Sequence, residues 1–136
     1  MRFEKHKVSV QVNLMVERMI RDELIEVSLQ VRSKFRMGIE QILYRYIDQF
    51  AQLEDSVQAF LVDHDLDDER YLKRVLKNLA KEEGLAIFGD ALDHLNLLIQ
   101  QYCWDSDDVD EIFADERQFV AVVTPFLKVI ALKPKL

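Results

Sequence analysis

Apolar residues recur at steps of three and four along most of this chain, a spacing that points to amphipathic helices. The clearest stripe covers more than four helical turns, through Phe35, Ile39, Ile42, Leu43, Tyr46, Ile47 and Phe50. Glycine and proline are rare, at three and two residues among 136. Average usage would place one of them at roughly every eighth position. Tight turns are therefore scarce, which disfavours sandwiches, barrels and nucleotide folds built on glycine loops.

This spacing predicts an all-α fold, a compact bundle of six or seven helices forming a single domain over residues 1–136. The first helix contains Val12 and Met19, with Ser9 as its cap, and ends near Val27. The second helix contains the long stripe. Further helices are expected, in chain order, over about 56–62, from 71 to Gly84, from Gly89 to Tyr102, around 109–113, and from Asp115 to Ile130. Pro125 removes a backbone donor, so we expect a kink or break near residues 121–124.

The two halves of the chain share an order of features. Residues 21–27 precede a long helix and 54–57 open a short one, and residues 81–87 and 107–109 hold corresponding places. Residues 21–27 and 81–87 are 60 residues apart, whereas the openings of the two short helices are 52 residues apart, so the loop lengths of the two halves must differ. The pattern predicts a repeat of residues 8–62 with 68–130, giving two similar three-helix halves.

Charge restricts the possible partners. The net charge is −7, and residues 1–61 hold nine basic and nine acidic side chains, against nine and sixteen in residues 62–136. Such a protein is repelled on average by phosphate backbones and anionic lipid, so binding either one requires a segregated basic face. The charge-free stretches are too short for a bilayer span, and residues 1–21 do not resemble a secretory signal. We expect no membrane association.

One cysteine, Cys103, is present, so neither an internal disulfide nor a cysteine-rich metal site is expected, and a reducing cytoplasm is the natural compartment. Cys103 falls at a predicted helix C-terminus beside Asp105, which disfavours a thiolate and predicts a structural thiol. Asp63, Asp65 and Asp67 have the spacing that starts a calcium loop, but Asp68 and Arg74 occupy the positions that need glycine and glutamate. In the segment that begins with Asp105 and Asp107, Glu116 holds the glutamate position, but Val109 and Asp110 occupy the fifth and sixth positions. Both segments are interpreted as helix-capping carboxylates.

No complete catalytic constellation is present. Asp90 and His94 are four residues apart, a spacing typical of a surface ion pair, with a metal or acid-base site as the alternative. We therefore predict no enzyme activity, no catalytic residue, no cofactor, no metal ligand and no small-molecule substrate.

Two kinds of binding surface fit the sequence. Leu97 and Trp104 widen the apolar surface of their helix, and with Phe119 they predict docking to a protein partner or a second copy of the chain. The expected function is thus a non-enzymatic interaction or self-association module. The alternative is a nucleic-acid-associated factor that uses Arg32, Lys34 and Arg36 around Phe35, joined by Arg18 and Arg21. Phe35 also begins the long apolar stripe, so a solvated helix start remains open.

Four motifs follow one another along the chain: Lys81-Glu82-Glu83-Gly84, Gly89-Asp90-Ala91-Leu92, Val109-Asp110-Glu111-Ile112-Phe113-Ala114-Asp115 and Thr124-Pro125-Phe126-Leu127. In this order they resemble the bacterial family known as domain of unknown function 507. Residues 7–46 are similar to the N-terminal helices of that family. The resemblance implies a helical cytoplasmic protein of bacterial type, and it carries no established activity, cofactor or catalytic residue. Longer members continue beyond the Thr-Pro helix, so this chain would lack that segment.

Overall fold

Four α-helices and four short strands make up the described structure, a computed structural model that describes residues 2–63, 74, 78 and 89–132. The helices are α1 (Val8–Arg21), α2 (Arg32–Asp63), α3 (Gly89–Asp105) and α4 (Glu116–Ile130), and a 3-10 turn (Lys5–Lys7) precedes α1. Strand β1 (Arg2–Phe3) pairs with β4 (Ala131–Leu132), and β2 (Ile25–Val27) pairs with β3 (Val109–Ile112), both antiparallel. The expected all-α bundle of six or seven helices is therefore wrong, because these residues form fewer helices and add two small sheets.

Helix α1 ends at Arg21 instead of near Val27 because the chain turns left-handed at Glu23, where φ is 59°. The Leu24 amide donates to the Met19 carbonyl (2.9 Å) and the Glu23 amide to the Ile20 carbonyl (3.1 Å), the two hydrogen bonds of a Schellman motif. Glycine usually holds the left-handed position, so the sequence lacks the familiar stop signal.

The expected sixth helix around residues 109–113 is strand β3. Ile112 pairs with Ile25 and Val109 with Val27, so β3 uses one more residue than β2 between these pairs and forms a bulge. Because of the bulge, Val109 and Ile112 lie on the same side of β3 although they are three residues apart, and they pair with the buried residues Val27 and Ile25. Their spacing therefore imitates a helix.

The expected short helix over residues 56–62 is the end of α2. The Ser56 hydroxyl does not cap a new helix; it donates to the Gln52 carbonyl one turn earlier (3.0 Å). Leu53 and Val57 are buried, so the apolar stripe continues without a break. Of the helix expected from residue 71 to Gly84, residues 74 and 78 are described and both are helical, and the rest lies outside the described residues.

The helices expected from Gly89 and from Asp115 are confirmed as α3 and α4. Asp115 caps α4: its carboxylate accepts from the Gln118 amide (2.8 Å), and the Gln118 side chain accepts from the Asp115 amide (3.0 Å). The break expected at Pro125 is wrong, because α4 continues through it to Ile130. Buried residues lie on both sides of the proline, including Phe119 and Leu127, and their packing holds the two parts in one helix.

The structure contains an internal repeat of helix, strand and helix: α1–β2–α2 is the first unit and α3–β3–α4 the second. Arg21 and Asp105 end the first helices, and Arg32 and Glu116 begin the second ones, so both landmarks are 84 residues apart. The same spacing joins seven pairs of buried residues: Val12 and Asn96, Met15 and Ile99, Met19 and Cys103, Phe35 and Phe119, Ile39 and Val123, Leu43 and Leu127, and Tyr46 and Ile130. This register pairs 8–46 with 92–130 and differs from the expected 8–62 and 68–130.

The two units share one hydrophobic core, to which all four helices and β2 contribute. Helix α1 packs against α2 and α4, and α3 packs against the same two helices. Asn96 is buried in this core, where its side-chain amide donates to the Leu92 carbonyl and to the Thr124 hydroxyl, both at 3.0 Å. Across the described part of the chain, no helix is long and apolar enough to cross a membrane.

A close approach between α2 and α3 depends on Gly38. The Tyr102 ring stacks on Phe35, with centroids 5.5 Å apart, and its hydroxyl donates to the Phe35 carbonyl (3.3 Å). A Cβ atom on Gly38 would overlap the Tyr102 hydroxyl and the ring carbon that carries it. Glycine at this position therefore lets the two helices meet around the tyrosine.

We predict that Gly38→Ala destabilises the protein by about 1–3 kcal/mol, because overpacking the helix contact outweighs the better helix propensity of alanine. Urea unfolding followed by circular dichroism measures the change. The matched control is Met37→Ala in the same turn, since Met37 is 56% exposed and its truncation should cost less than about 0.5 kcal/mol. A Gly38→Ala protein as stable as the wild type would contradict the packing argument.

Candidate functional site

Four arginines line a groove of about 600 Å³ along α1. Arg18 and Arg21 come from the last turn of α1, and Arg32 and Arg36 from the first turns of α2. Phe126 of α4 also lines this groove, which we name the arginine groove. The structure thus brings together all the cations that the sequence grouped, except Lys34.

Arg32 and Arg36 are held in place by neutral acceptors. The Arg36 guanidinium donates to the Asn13 side-chain oxygen (2.6 Å), and Nε of Arg32 donates to the Val27 carbonyl (3.0 Å). Within the described ranges, no carboxylate lies within 4.0 Å of either guanidinium. Each side chain is therefore oriented without losing its charge, and several N–H donors remain for an anion.

Arg18 and Arg21 share one carboxylate. Arg18 bonds Asp22 at 2.6 Å, and the nearest Arg21 nitrogen lies 3.9 Å from the same side chain. Glu17 adds a second negative charge to the groove. The lining of the groove itself therefore holds four arginines and one acid, Glu17, with Asp22 beside it.

Lys34 and Phe35 point away from the arginine groove. Lys34 is 80% exposed, and its Nζ lies 3.7 Å from a carboxylate oxygen of Asp108. Phe35 is fully buried against Tyr102, so no base can stack on it. The sequence-based cluster of Arg32, Lys34 and Arg36 therefore divides, with the two arginines one helical turn apart on one face and the lysine on another.

The residues expected to dock a protein are only partly on the surface. Leu97 is 47% exposed and Trp104 is 37% exposed, and their spacing of seven residues places them on one face of α3. Phe119 is fully buried and meets Trp104 edge to face, with centroids 5.4 Å apart. A partner could therefore contact Leu97 and Trp104 but not Phe119. A small groove of about 200 Å³ beside Leu97 is lined by Asp93 and Glu116.

The second unit carries other residues at the positions that correspond to the groove arginines. At the 84-residue spacing, Arg18, Arg21, Arg32 and Arg36 correspond to Tyr102, Asp105, Glu116 and Val120. An aromatic, two acids and an aliphatic residue thus occupy the same places in the same arrangement of helices. The cluster of four arginines is therefore a feature of the first unit that the second unit does not share.

Other candidates for chemistry give no site in the described residues. No three His, Cys, Asp or Glu side chains there are placed to hold a metal ion. His94 packs edge to face against Tyr46, with centroids 5.6 Å apart. The calcium-like segment after Asp63 and the Asp90 side chain lie outside the described residues.

The structural role expected for Cys103 is confirmed. The side chain is fully buried in α3, and burial raises the pKa of its thiol from 9.0 to about 12. The thiol therefore stays protonated at physiological pH and is a poor nucleophile.

A search of protein-family models finds no match for this chain, and no curated protein matches it. The resemblance to domain of unknown function 507 stays a prediction.

Sequence reasoning missed the residue that orients Arg36. Asn13 meets Arg36 only because α1 and α2 pack antiparallel, and no local pattern marks that contact. The spacing of four between Arg32 and Arg36 was the signal that could have separated them from Lys34.

We predict that Cys103 in the folded protein reacts slowly with a thiol reagent such as dithionitrobenzoate from pH 8 to 10. With a pKa of about 12, its thiolate fraction stays small throughout that interval. In denaturant the same thiol should react quickly and with a stoichiometry of one per chain. Rapid reaction of the folded protein at pH 8 would contradict the buried thiol.

Proposed function

We propose that this protein binds nucleic acid and that the arginine groove holds phosphates of the nucleic-acid backbone. The proposal is carried by Arg32 and Arg36, which neutral acceptors orient while no described carboxylate pairs with them. A guanidinium can hold a phosphate through two parallel N–H···O bonds, a strong and geometrically specific contact. Arg18 and Arg21 extend the positive surface along the end of α1.

The distribution of charge supports this function in an acidic protein. All groove arginines belong to residues 1–61, where acids and bases balance, and the acidic excess belongs to residues 62–136. A local positive surface of this kind attracts phosphate even when the net charge of the chain is negative. The acidic remainder would reduce nonspecific binding elsewhere on the molecule.

Comparison of the two units adds a second support. The positions of the groove arginines carry none of the same residues in the second unit, although the backbone elements begin and end in the same register. The convergence of four arginines on one groove, with no counterpart in the second unit, supports binding of an anionic ligand there. We also propose that the protein is cytoplasmic, as the single cysteine favours. The resemblance to a bacterial family is part of the same proposal.

We predict that changing Arg32 and Arg36 together to Gln weakens binding to a short fluorescein-labelled DNA by about tenfold or more per arginine. Fluorescence anisotropy measures the dissociation constant over about 50–200 mM salt. The slope of log K against log salt should fall by about 0.7–0.9 for each phosphate contact that is lost.

Lys34→Gln is the matched control for each single arginine change, because it removes one positive charge from the same part of α2 outside the groove. It should leave affinity nearly unchanged. Asp22→Asn, which frees Arg18 from its carboxylate, should strengthen binding. If Lys34→Gln weakens binding as much as the arginine changes do, general charge and not the groove is responsible.

Self-association is a second candidate function, favoured by the exposed apolar residues Leu97 and Trp104 on one face of α3. Equivalent positions of the two units also carry opposite charges, as in Arg21 and Asp105 or Arg32 and Glu116. The acidic side of α3 in one copy therefore complements the arginine groove of another. A head-to-tail contact of this kind would bury Leu97.

For this candidate we predict a concentration-dependent rise in mass that Leu97→Lys abolishes, because a charge on α3 opposes burial of that face. Light scattering after size-exclusion chromatography measures the mass. Val62→Lys is the matched control, since Val62 is 74% exposed and lies at the opposite end of α2 from Arg32 and Arg36. A monomer at every concentration would reject self-association.

A further inference from the structure

A second groove of about 430 Å³ adjoins the arginine groove and shares Ile20 and Arg32 with it. Its other lining residues include Phe113 together with Glu23, Glu26 and the rest of β2, and we name it the strand groove. Because Arg32 lines both grooves, a ligand that occupies the two grooves would contact the Arg32 guanidinium near the middle of the ligand.

Phe113 presents an aromatic ring to the strand groove from a fixed backbone. The ring is 55% exposed, although the Phe113 and Ala114 amides both donate to the Leu24 carbonyl, at 2.9 and 3.2 Å. These hydrogen bonds attach the end of β3 to the chain just before β2. The ring is therefore positioned by the sheet and remains open to a flat ligand.

The two grooves differ in charge. Arginines surround the first, whereas Glu23 and Glu26 line the second. A phosphate placed in the strand groove would be repelled by these carboxylates. A nucleotide fits the combination, because it joins an anionic phosphate to a flat base whose amino group can donate to a carboxylate.

We propose that the two grooves together bind one nucleotide of a single-stranded nucleic acid, with its phosphate at the arginines and its base stacked on Phe113. This inference rests on the proposed function and adds the substrate class. A duplex does not fit, since its bases are already paired and stacked within the helix and offer no free face to the ring.

The test uses fluorescence anisotropy with the full chain and four labelled DNA probes of equal length: a cytosine strand, a thymine strand, an abasic strand and a duplex. Phe113→Ala should weaken binding of the cytosine strand by about fivefold to a hundredfold, the range found for loss of a base stack. It should leave binding of the abasic strand unchanged. Phe113→Trp is the matched control and should retain affinity, because it keeps an aromatic face.

The affinities of the wild-type protein for the four probes give a second test. The cytosine strand should bind more tightly than the abasic strand and the duplex. It should also bind more tightly than the thymine strand, because only cytosine offers an amino donor to Glu23 and Glu26. Equal affinity for cytosine and thymine would overturn the role of the two carboxylates.

Two further outcomes separate this inference from the function on which it rests. If the abasic strand or the duplex binds as tightly as the cytosine strand and still depends on Arg32, single-strand recognition is overturned but phosphate binding stands. If no probe binds, the proposed function fails, and this inference fails with it.

A competition experiment tests whether the ligand is a strand or a free nucleotide. If free cytidine monophosphate displaces the strand at concentrations comparable to the strand itself, the grooves hold a free nucleotide and the strand proposal is overturned.

Discussion

The antiparallel pairing of β2 with β3 joins the two helix–strand–helix units and places the residues of the candidate site. Val27 in β2 supplies the carbonyl that orients Arg32, and Leu24, just before β2, supplies the carbonyl that holds the backbone of Phe113. Ile25 and Val27 bury the inner side of the strand against the shared core. The same short sheet therefore stabilises the contact between the units and positions a cation beside an aromatic ring.

The internal repeat separates what the fold requires from what a ligand could use. Residues 84 apart are buried in both units at seven places, since packing accepts only apolar or well-bonded side chains there. Residues outside the core differ between the two units instead. Where the first unit has the four groove arginines, the second unit has acidic, aromatic and aliphatic residues at the equivalent positions. This divergence gives an acidic protein one basic groove and leaves its negative charge mainly on the other unit.

Sequence periodicity predicted all four described helices, and local chemistry explains where its boundaries failed. The predicted start of α4 at Asp115 is correct, and the structure shows that a capping box with Gln118 fixes it there. The end of α1 was missed because Glu23 occupies a left-handed position that glycine usually holds. The bulge in β3 gave Val109 and Ile112 a helical spacing, and only their pairing with β2 identifies them as a strand. Ser56 resembled a cap, but its hydroxyl bonds back within α2.

The sequence by itself determined the approximate positions of the four described helices, the apolar stripe along α2 and the presence of a basic cluster near the start of α2, because periodicity and charge are local properties. Only the tertiary structure decided that Arg32 and Arg36 share a groove with Arg18 and Arg21, while Lys34 lies elsewhere and Phe119 is buried. Such neighbours come from distant parts of the chain. Their contacts depend on how α1, α2 and the β2–β3 sheet pack together, which no spacing along one element records.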